Sequence, residues 1–353
     1  GHTPGPHVFP RSRWNRGHTV ELCDGKEFRE CFATAGATCK PSCGWRSGVD
    51  TQPQALVAKA FNARAATANP ILILNVGDNF YWGGIEKTCG TPMGELSAAA
   101  RHQFSSIFES MYTGNAPWIS ALGNHDYGGR RFDNGWDQQI AYTWKSNRWV
   151  MPASYYMHTV EFPDAGFSMD IFVLDSNKED AKAPGEDPEH NICSAKYNPA
   201  GANCAGAGGP ANLGACVAWF HGRWSQQQAW LEARLAASDA DWQVAVTHFP
   251  CGTDGAWYAG LHAQLGLDLL VTGHRHDQEL WPASRMGGLT CFVTGGGGGI
   301  TSEADPSDTS EWYGEAQYGF YDLTVSKAEI LVQSINYDGA LLKSASVAPK
   351  ARR

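Results

Sequence analysis

The chain has 353 residues, 42% hydrophobic and 18% charged, enough to bury a large core in one or two α/β domains. Its net charge of −9 argues against broad nucleic-acid binding through a basic face. No apolar run approaches the roughly 18 residues a membrane-spanning helix needs.

Residues 1–22, rich in Pro, Gly, Arg and His, read as an extended arm lying on the body or on a partner. Glu27 to Ala35 has strand character and ends at Gly36-Ala37-Thr38; a cysteine-laced loop follows from Cys39 to Pro53. Apolar residues at helical spacing (Leu56, Ala60, Phe61, Ala65) predict a helix over Gln54–Ala68. The run from Ile71 to Val76 then reads as a buried strand ending in Gly77-Asp78-Asn79-Phe80-Tyr81. A helix is expected from about Gly94 to Met111, with Phe104, Ile107, Phe108 and Met111 on one face.

Trp118 to Leu122 repeats the strand pattern and ends in Gly123-Asn124-His125-Asp126. An aromatic, irregular stretch to about Pro152 follows. The runs at 154–162 and 167–175 suggest an antiparallel pair. Residues 178–218 form a Gly/Ala/Asn/Pro insertion in which Cys193, Cys204 and Cys216 argue for a stapled, ordered loop. Ser225 to Gln228 reads as a capping box opening a helix that runs to about Ala237.

Strand Trp242–Thr247 delivers His248, a short helix spans about Ala256–Leu265, and strand Leu267–Thr272 delivers Gly273-His274-Arg275-His276. Strand Leu289–Thr294 reaches the five-glycine run Gly295–Gly299, taken as a close backbone approach near the site. A hairpin-like pair, 319–325 and 329–335, closes the body. The order of elements predicts a layered α/β sandwich in which two sheets are flanked by helices. One domain over 23–345, with a tail at 346–353, accommodates all of it.

Ten cysteines, an even number and mostly in loops, fit disulfides better than free thiols. A chain that starts at Gly1 without Met fits a processed protein, so the expectation is a secreted or luminal location.

Four strand ends thus carry a carboxylate, a phenol, an amide oxygen and imidazoles. Such a mixed O/N set suits Fe, Mn or Zn rather than Mg or Ca alone. Two cations a few ångström apart clamp a phosphate ester and stabilise both the attacking and the leaving oxygen.

The ordered set GDNFY, GNHD, TH and GHRH resembles the calcineurin-like metallophosphoesterases. The tyrosine of GDNFY points within them to purple acid phosphatases of the tartrate-resistant type, and the likeness spans about 27–335. The resemblance implies a four-layer α/β/β/α sandwich with two mixed sheets, and a dinuclear centre of Fe plus Fe, Zn or Mn. It implies that Asp78 bridges both metals, that Tyr81 and His276 hold one, and that Asn124, His248 and His274 hold the other. His125 would contact the phosphate and protonate the leaving alkoxide, with Asp126 orienting it.

The chain departs from this pattern at Ala37, where the family carries an aspartate ligand; Asp24 and Asp50 follow no apolar run. A methyl group cannot coordinate, so the first site would be weakened or empty. After His248 the sequence shows no second imidazole nearby, His262 being a distant candidate. Two readings of function stand: an acid phosphatase acting on small phosphomonoesters, or a weakened pseudo-phosphatase serving as a structural or binding subunit. A protein partner, if there is one, would meet the N-terminal arm or the insertion.

Overall fold

The computed structural model describes residues 53–81, 83–96, 98–298 and 318–350. The expected arm, the strand at 27–35, Ala37, Asp24, Asp50 and the four cysteines before residue 50 lie outside the described residues, as does Gly299.

The core is organised by a six-stranded mixed sheet. Its strands are β4 (Tyr156–Phe162), β5 (Phe167–Val173), β6 (Trp242–Val246), β7 (Leu269–Thr272), β8 (Gln278–Trp281) and β9 (Thr290–Thr294). They lie in the order β4-β5-β6-β7-β9-β8. The four central strands run parallel, while β4 and β8 are antiparallel edges. Parallel strands buried on both faces need near-continuous apolar runs, and β6 and β7 are buried at every position.

The two-residue period of β5 sends its side chains to two different cores. Ile171 and Val173 face the larger core, with Val244, Val246 and Val271. Phe172 and Leu174 face the other, where Trp224, Leu231 and Leu235 of helix α5 (Leu213–Ala237) and Tyr258 and Leu261 of helix α6 (Gly255–Leu265) cover the sheet.

Across the larger core lie two three-stranded sheets. One is parallel, β1 (Ile73–Asn75), β2 (Trp118–Ser120) and β3 (Trp149–Val150); the other is antiparallel, β10 (Gly319–Val325), β11 (Ile330–Asn336) and β12 (Leu341–Val347). The edges β1 and β10 line a cavity of about 700 Å³ together with Met169, Val244 and Phe292 of the large sheet. Helix α1 (Pro53–Ala68) packs its Phe61 against Phe320 and Trp118. The layers are therefore α/β/β/α, as the sequence predicts.

Several local expectations change. The helix predicted from Gly94 to Met111 is a short α-helix α2 (Ala98–His102) running into a π-helical stretch, Gln103–Glu109. Phe104, Ile107 and Phe108 are still buried, but Met111 is past its end and half-exposed. The stretch after Gly123 holds two short helices, α3 (Asn124–Tyr127) and α4 (Trp136–Tyr142).

Helix α5 starts twelve residues before the predicted capping box. Asn212 caps it by accepting from the Ala215 N–H, whereas Ser225 lies mid-helix and bonds back to His221 O. Strands β8 and β12 have no counterpart in the sequence reading.

The insertion is stapled as expected. Cys193 bonds Cys216 on α5, Cys204 bonds Cys89, and Cys251 bonds Cys291 under α6. No free cysteine occurs among the described residues, which fits an oxidising compartment. No helix among them is long and apolar enough to cross a membrane.

Candidate metal centre

Strands β1, β2, β6 and β7 point their C-terminal ends to one side, where each is followed by a loop carrying polar side chains. This is the edge at which open α/β sheets place ligands. Two of the loop residues, Asp78 (φ 55°) and His274 (φ 67°), sit in left-handed backbone conformations that side chains rarely adopt. Strain of that kind persists where the surroundings over-determine it. The loops also approach closely: a Cβ at Gly123 would strike the Asp78 carboxylate and the His248 ring, and one at Gly295 would strike the Arg275–His276 backbone.

His248, only 1% exposed, is the centre of the arrangement. Its Nδ1 lies 2.9 Å from the Val76 carbonyl oxygen, which can only accept, so Nδ1 carries a proton. Its Nε2 faces three atoms: Asn124 Oδ1 at 3.0 Å, Asp78 Oδ2 at 3.4 Å and His274 Nδ1 at 3.2 Å. Asn124 presents its oxygen because its Nδ2 donates to Asp180 Oδ2 at 2.8 Å. Nε2 of the neutral ring, Oδ1 and Oδ2 are all acceptors, so a positive species is needed between them. A proton or a cation meets that need.

Ligand atoms of Asp78, His248 and His274 all lie within 4.8 Å of one another, which fits a shared metal ion. Burial holds His274 well below its ordinary range, helped by the neighbouring His248, so the ring is neutral and free to coordinate. Burial also pulls His248 down, but the Asp78 carboxylate more than reverses it. Asp78 feels burial upward, yet His248, His125 and the Tyr81 hydroxyl bring it well below its ordinary range. Without a metal, then, this cluster takes up a proton.

On the other side of the Asp78 carboxylate the Tyr81 hydroxyl donates to Oδ2 at 2.6 Å, and it lies 3.0 Å from His276 Nε2. Asp78 Oδ2 is therefore shared between a Tyr81/His276 pair and the Asn124/His248/His274 group. Oδ1 accepts from the His125 backbone N–H at 2.9 Å. All six residues expected as ligands come together. The half-buried His125 ring lies over Tyr81, centroids 4.4 Å apart.

Asp126 is placed otherwise than expected. Its fully buried carboxylate accepts from the backbone N–H groups of Gly123, Asn79 and Phe80 and from the side-chain amides of Asn79 and Gln139. Burial and the Asp78 charge push it up to about 7, against these five donors, which favour the ionised form. It braces the Asp78 loop against the start of α3 and does not orient the His125 ring. His262, on α6, bonds Leu267 O and takes no part in the cluster.

Asp180, which the sequence reading passed over, lies beside the cluster. Burial is the largest influence on it and pushes it up to about 6, partly offset by Lys182. The one available signal was position, an acidic residue five places beyond Asp175 at the end of an apolar run.

The model of the calcineurin-like phosphoesterase family matches residues 51–278. Tartrate-resistant acid phosphatase type 5 of Sus scrofa is 26% identical over 253 residues, 68% of this chain and 62% of that protein. The Homo sapiens protein of the same name is 23% identical over 312 residues, 79% of this chain and 80% of its own length. The chain thus spans about three fifths of the pig relative, and 48% of the Mus musculus one. Among solved structures, "GAP50 the anchor in the inner membrane complex of Plasmodium" superposes with a TM-score of 0.59 at 15% identity, covering 86% of each chain. The fold, the ligand-bearing loops and the match over residues 51–278 agree: this chain belongs to the calcineurin-like phosphoesterase family.

Proposed function

We propose that the protein is a secreted or luminal acid phosphatase that hydrolyses small phosphomonoesters at a dinuclear metal centre. The observation that carries this reading is the convergence of His248 Nε2, Asn124 Oδ1 and Asp78 Oδ2, acceptors that require a cation between them. Their sharing of Asp78 with the Tyr81/His276 pair supports a second cation. The phenol of Tyr81 is a donor suited to a strongly Lewis-acidic ion such as Fe³⁺, with Fe, Zn or Mn in the nitrogen-rich site. The acid phosphatases of 23–26% identity support the substrate class.

Asn124, His248 and His274 hold one cation, Tyr81 and His276 hold the other, and Asp78 bridges them. When bound, such a pair polarises the phosphoester and lowers the pKa of water. The Val76 carbonyl keeps the His248 proton on Nδ1, leaving Nε2 for coordination. Phe249 stacks on His274, centroids 4.3 Å apart, and limits the ring's rotation. His125, whose backbone is anchored on Asp78 while its ring remains half-exposed, is the group that contacts the phosphate and donates a proton to the leaving oxygen.

Ala37, which stands where the family has an aspartate, removes a ligand from the Tyr81/His276 site. The reading is tested by elemental analysis for Fe, Zn and Mn together with p-nitrophenyl phosphate turnover near pH 5. Wild-type protein should carry metal and turn over, Asp78→Ala should do neither, and Ala37→Asp should raise the metal content. Well-folded wild-type protein with neither metal nor turnover would contradict it.

A further inference from the structure

We infer that Asp180 is a positioning residue that fixes which end of the Asn124 amide faces the metal centre, and that the stapled insertion exists in part to hold it there. This rests on the reading of Asn124 as a metal ligand.

An asparagine side chain has almost the same shape either way round. Turned one way Asn124 offers an oxygen to the cation; turned the other it offers an NH2 group, which repels it. Nothing in the amide itself chooses between the two. The choice is made by what lies behind it, and here that is the Asp180 carboxylate, which can only accept. With Asn124 Nδ2 donating to Asp180 Oδ2 at 2.8 Å, Oδ1 is left pointing at His248 Nε2. The bond is also charge-assisted and polarises the amide, so the oxygen becomes a better donor to a cation.

Asp180 is itself held on three sides. It closes the 3₁₀ turn Asn177–Asp180, and Asn177 Nδ2 donates to Leu122 O, two residues before Asn124. The Ile192 N–H donates to Asp180 O at 2.7 Å, and Ile192 adjoins Cys193, bonded to Cys216 on α5. Asn191 ties the same hairpin together: its Oδ1 accepts from the Lys182 and Cys193 N–H groups, and its Nδ2 donates to Ala183 O and Glu186 O. Lys182 Nζ lies 3.9 Å from Asp180 Oδ1. A covalent and hydrogen-bonded path thus runs from α5 through the insertion to a ligand of the site. A carboxylate only 6% exposed is costly to bury, and its one side-chain hydrogen bond goes to Asn124.

The test uses the full chain stripped of metal, with Zn²⁺ or Mn²⁺ binding followed by calorimetry and p-nitrophenyl phosphate hydrolysis measured beside it. Asp180→Leu keeps the volume and removes the acceptor; it should weaken metal binding about 10- to 100-fold. Its lost rate should return as metal is raised to saturation. Asp180→Asn, which retains an acceptor oxygen, should bind closer to wild type. Should Asp180→Leu fail to fold, Asp180→Ser, too short to reach Asn124, is read in the same way. Folded Asp180→Leu or Asp180→Ser protein with wild-type affinity would overturn the inference alone. Wild-type protein that binds neither ion would overturn the ligand reading and this inference with it.

Discussion

His248 Nε2 and Asn124 Oδ1 stand 3.0 Å apart with no hydrogen to share between them when the imidazole is neutral. Val76 has claimed the proton on the far side of the ring, and Asp180 has claimed both the orientation and a hydrogen of the amide. The arrangement is stable only with positive charge in the gap, and the chemistry of the site follows from what supplies it.

Protons and metal compete for that gap. His248 titrates above its ordinary value because Asp78 outweighs the opposing effect of burial. A folded-state value raised above the unfolded one gives stability that is fully present below about 6.5 and lost as pH rises through the folded value. Metal-free protein should therefore lose stability on going from pH 6 to pH 8. Metal binding should release protons and weaken toward acid, as isothermal titrations at several pH values would show. A pH-independent affinity would contradict the ligand role of His248.

Removal of the proposed proton donor separates binding from chemistry. His125→Ala should lower kcat by about 10²- to 10⁴-fold. Metal content should be unchanged, because the His125 contact with Asp78 is made by its backbone N–H. Steady-state kinetics with elemental analysis on one preparation checks both halves.

Far from the site, Glu109 provides an independent test of the fold. Its carboxylate accepts from Arg148 at 2.6 Å, Ser146 at 2.7 Å and Tyr142 at 2.9 Å. Partial burial pushes it upward, but these three donors bring it below its ordinary 4.5. A depressed value means stability present above about 4.5 and lost as pH falls through the folded value. Glu109→Gln should cost about 1 kcal/mol or less near neutral pH, given its exposure to solvent. The difference from wild type should shrink below pH 4, as urea titrations across that range would reveal.

The ligand set was legible because each member follows an apolar run and a glycine. Val76-Gly77-Asp78, Leu122-Gly123-Asn124 and Thr272-Gly273-His274 all mark a buried strand ending in a tight turn. That pattern comes from backbone sterics and burial, both local enough to read from residues. The bracing role of Asp126 was not legible, since its donors at 79, 80 and 139 are brought to it only by folding. Asp180 sits in a stretch where Gly, Ala and Pro carry no periodicity, and its partner is 56 residues away. The start of α5 was misplaced because Gly214 and Gly222 lower the helical signal. Burial of Phe220 and Trp224 and the bond from Cys216 to Cys193 outweigh that propensity.

A crystal structure of protein purified with its metals, with anomalous scattering collected at the Fe and Zn edges, tests the central claim most directly. The account predicts anomalous peaks on both sides of the Asp78 carboxylate, one of them about 2.0–2.2 Å from His248 Nε2 and Asn124 Oδ1. Peaks elsewhere, or none at this cluster in metal-supplemented crystals, would contradict it.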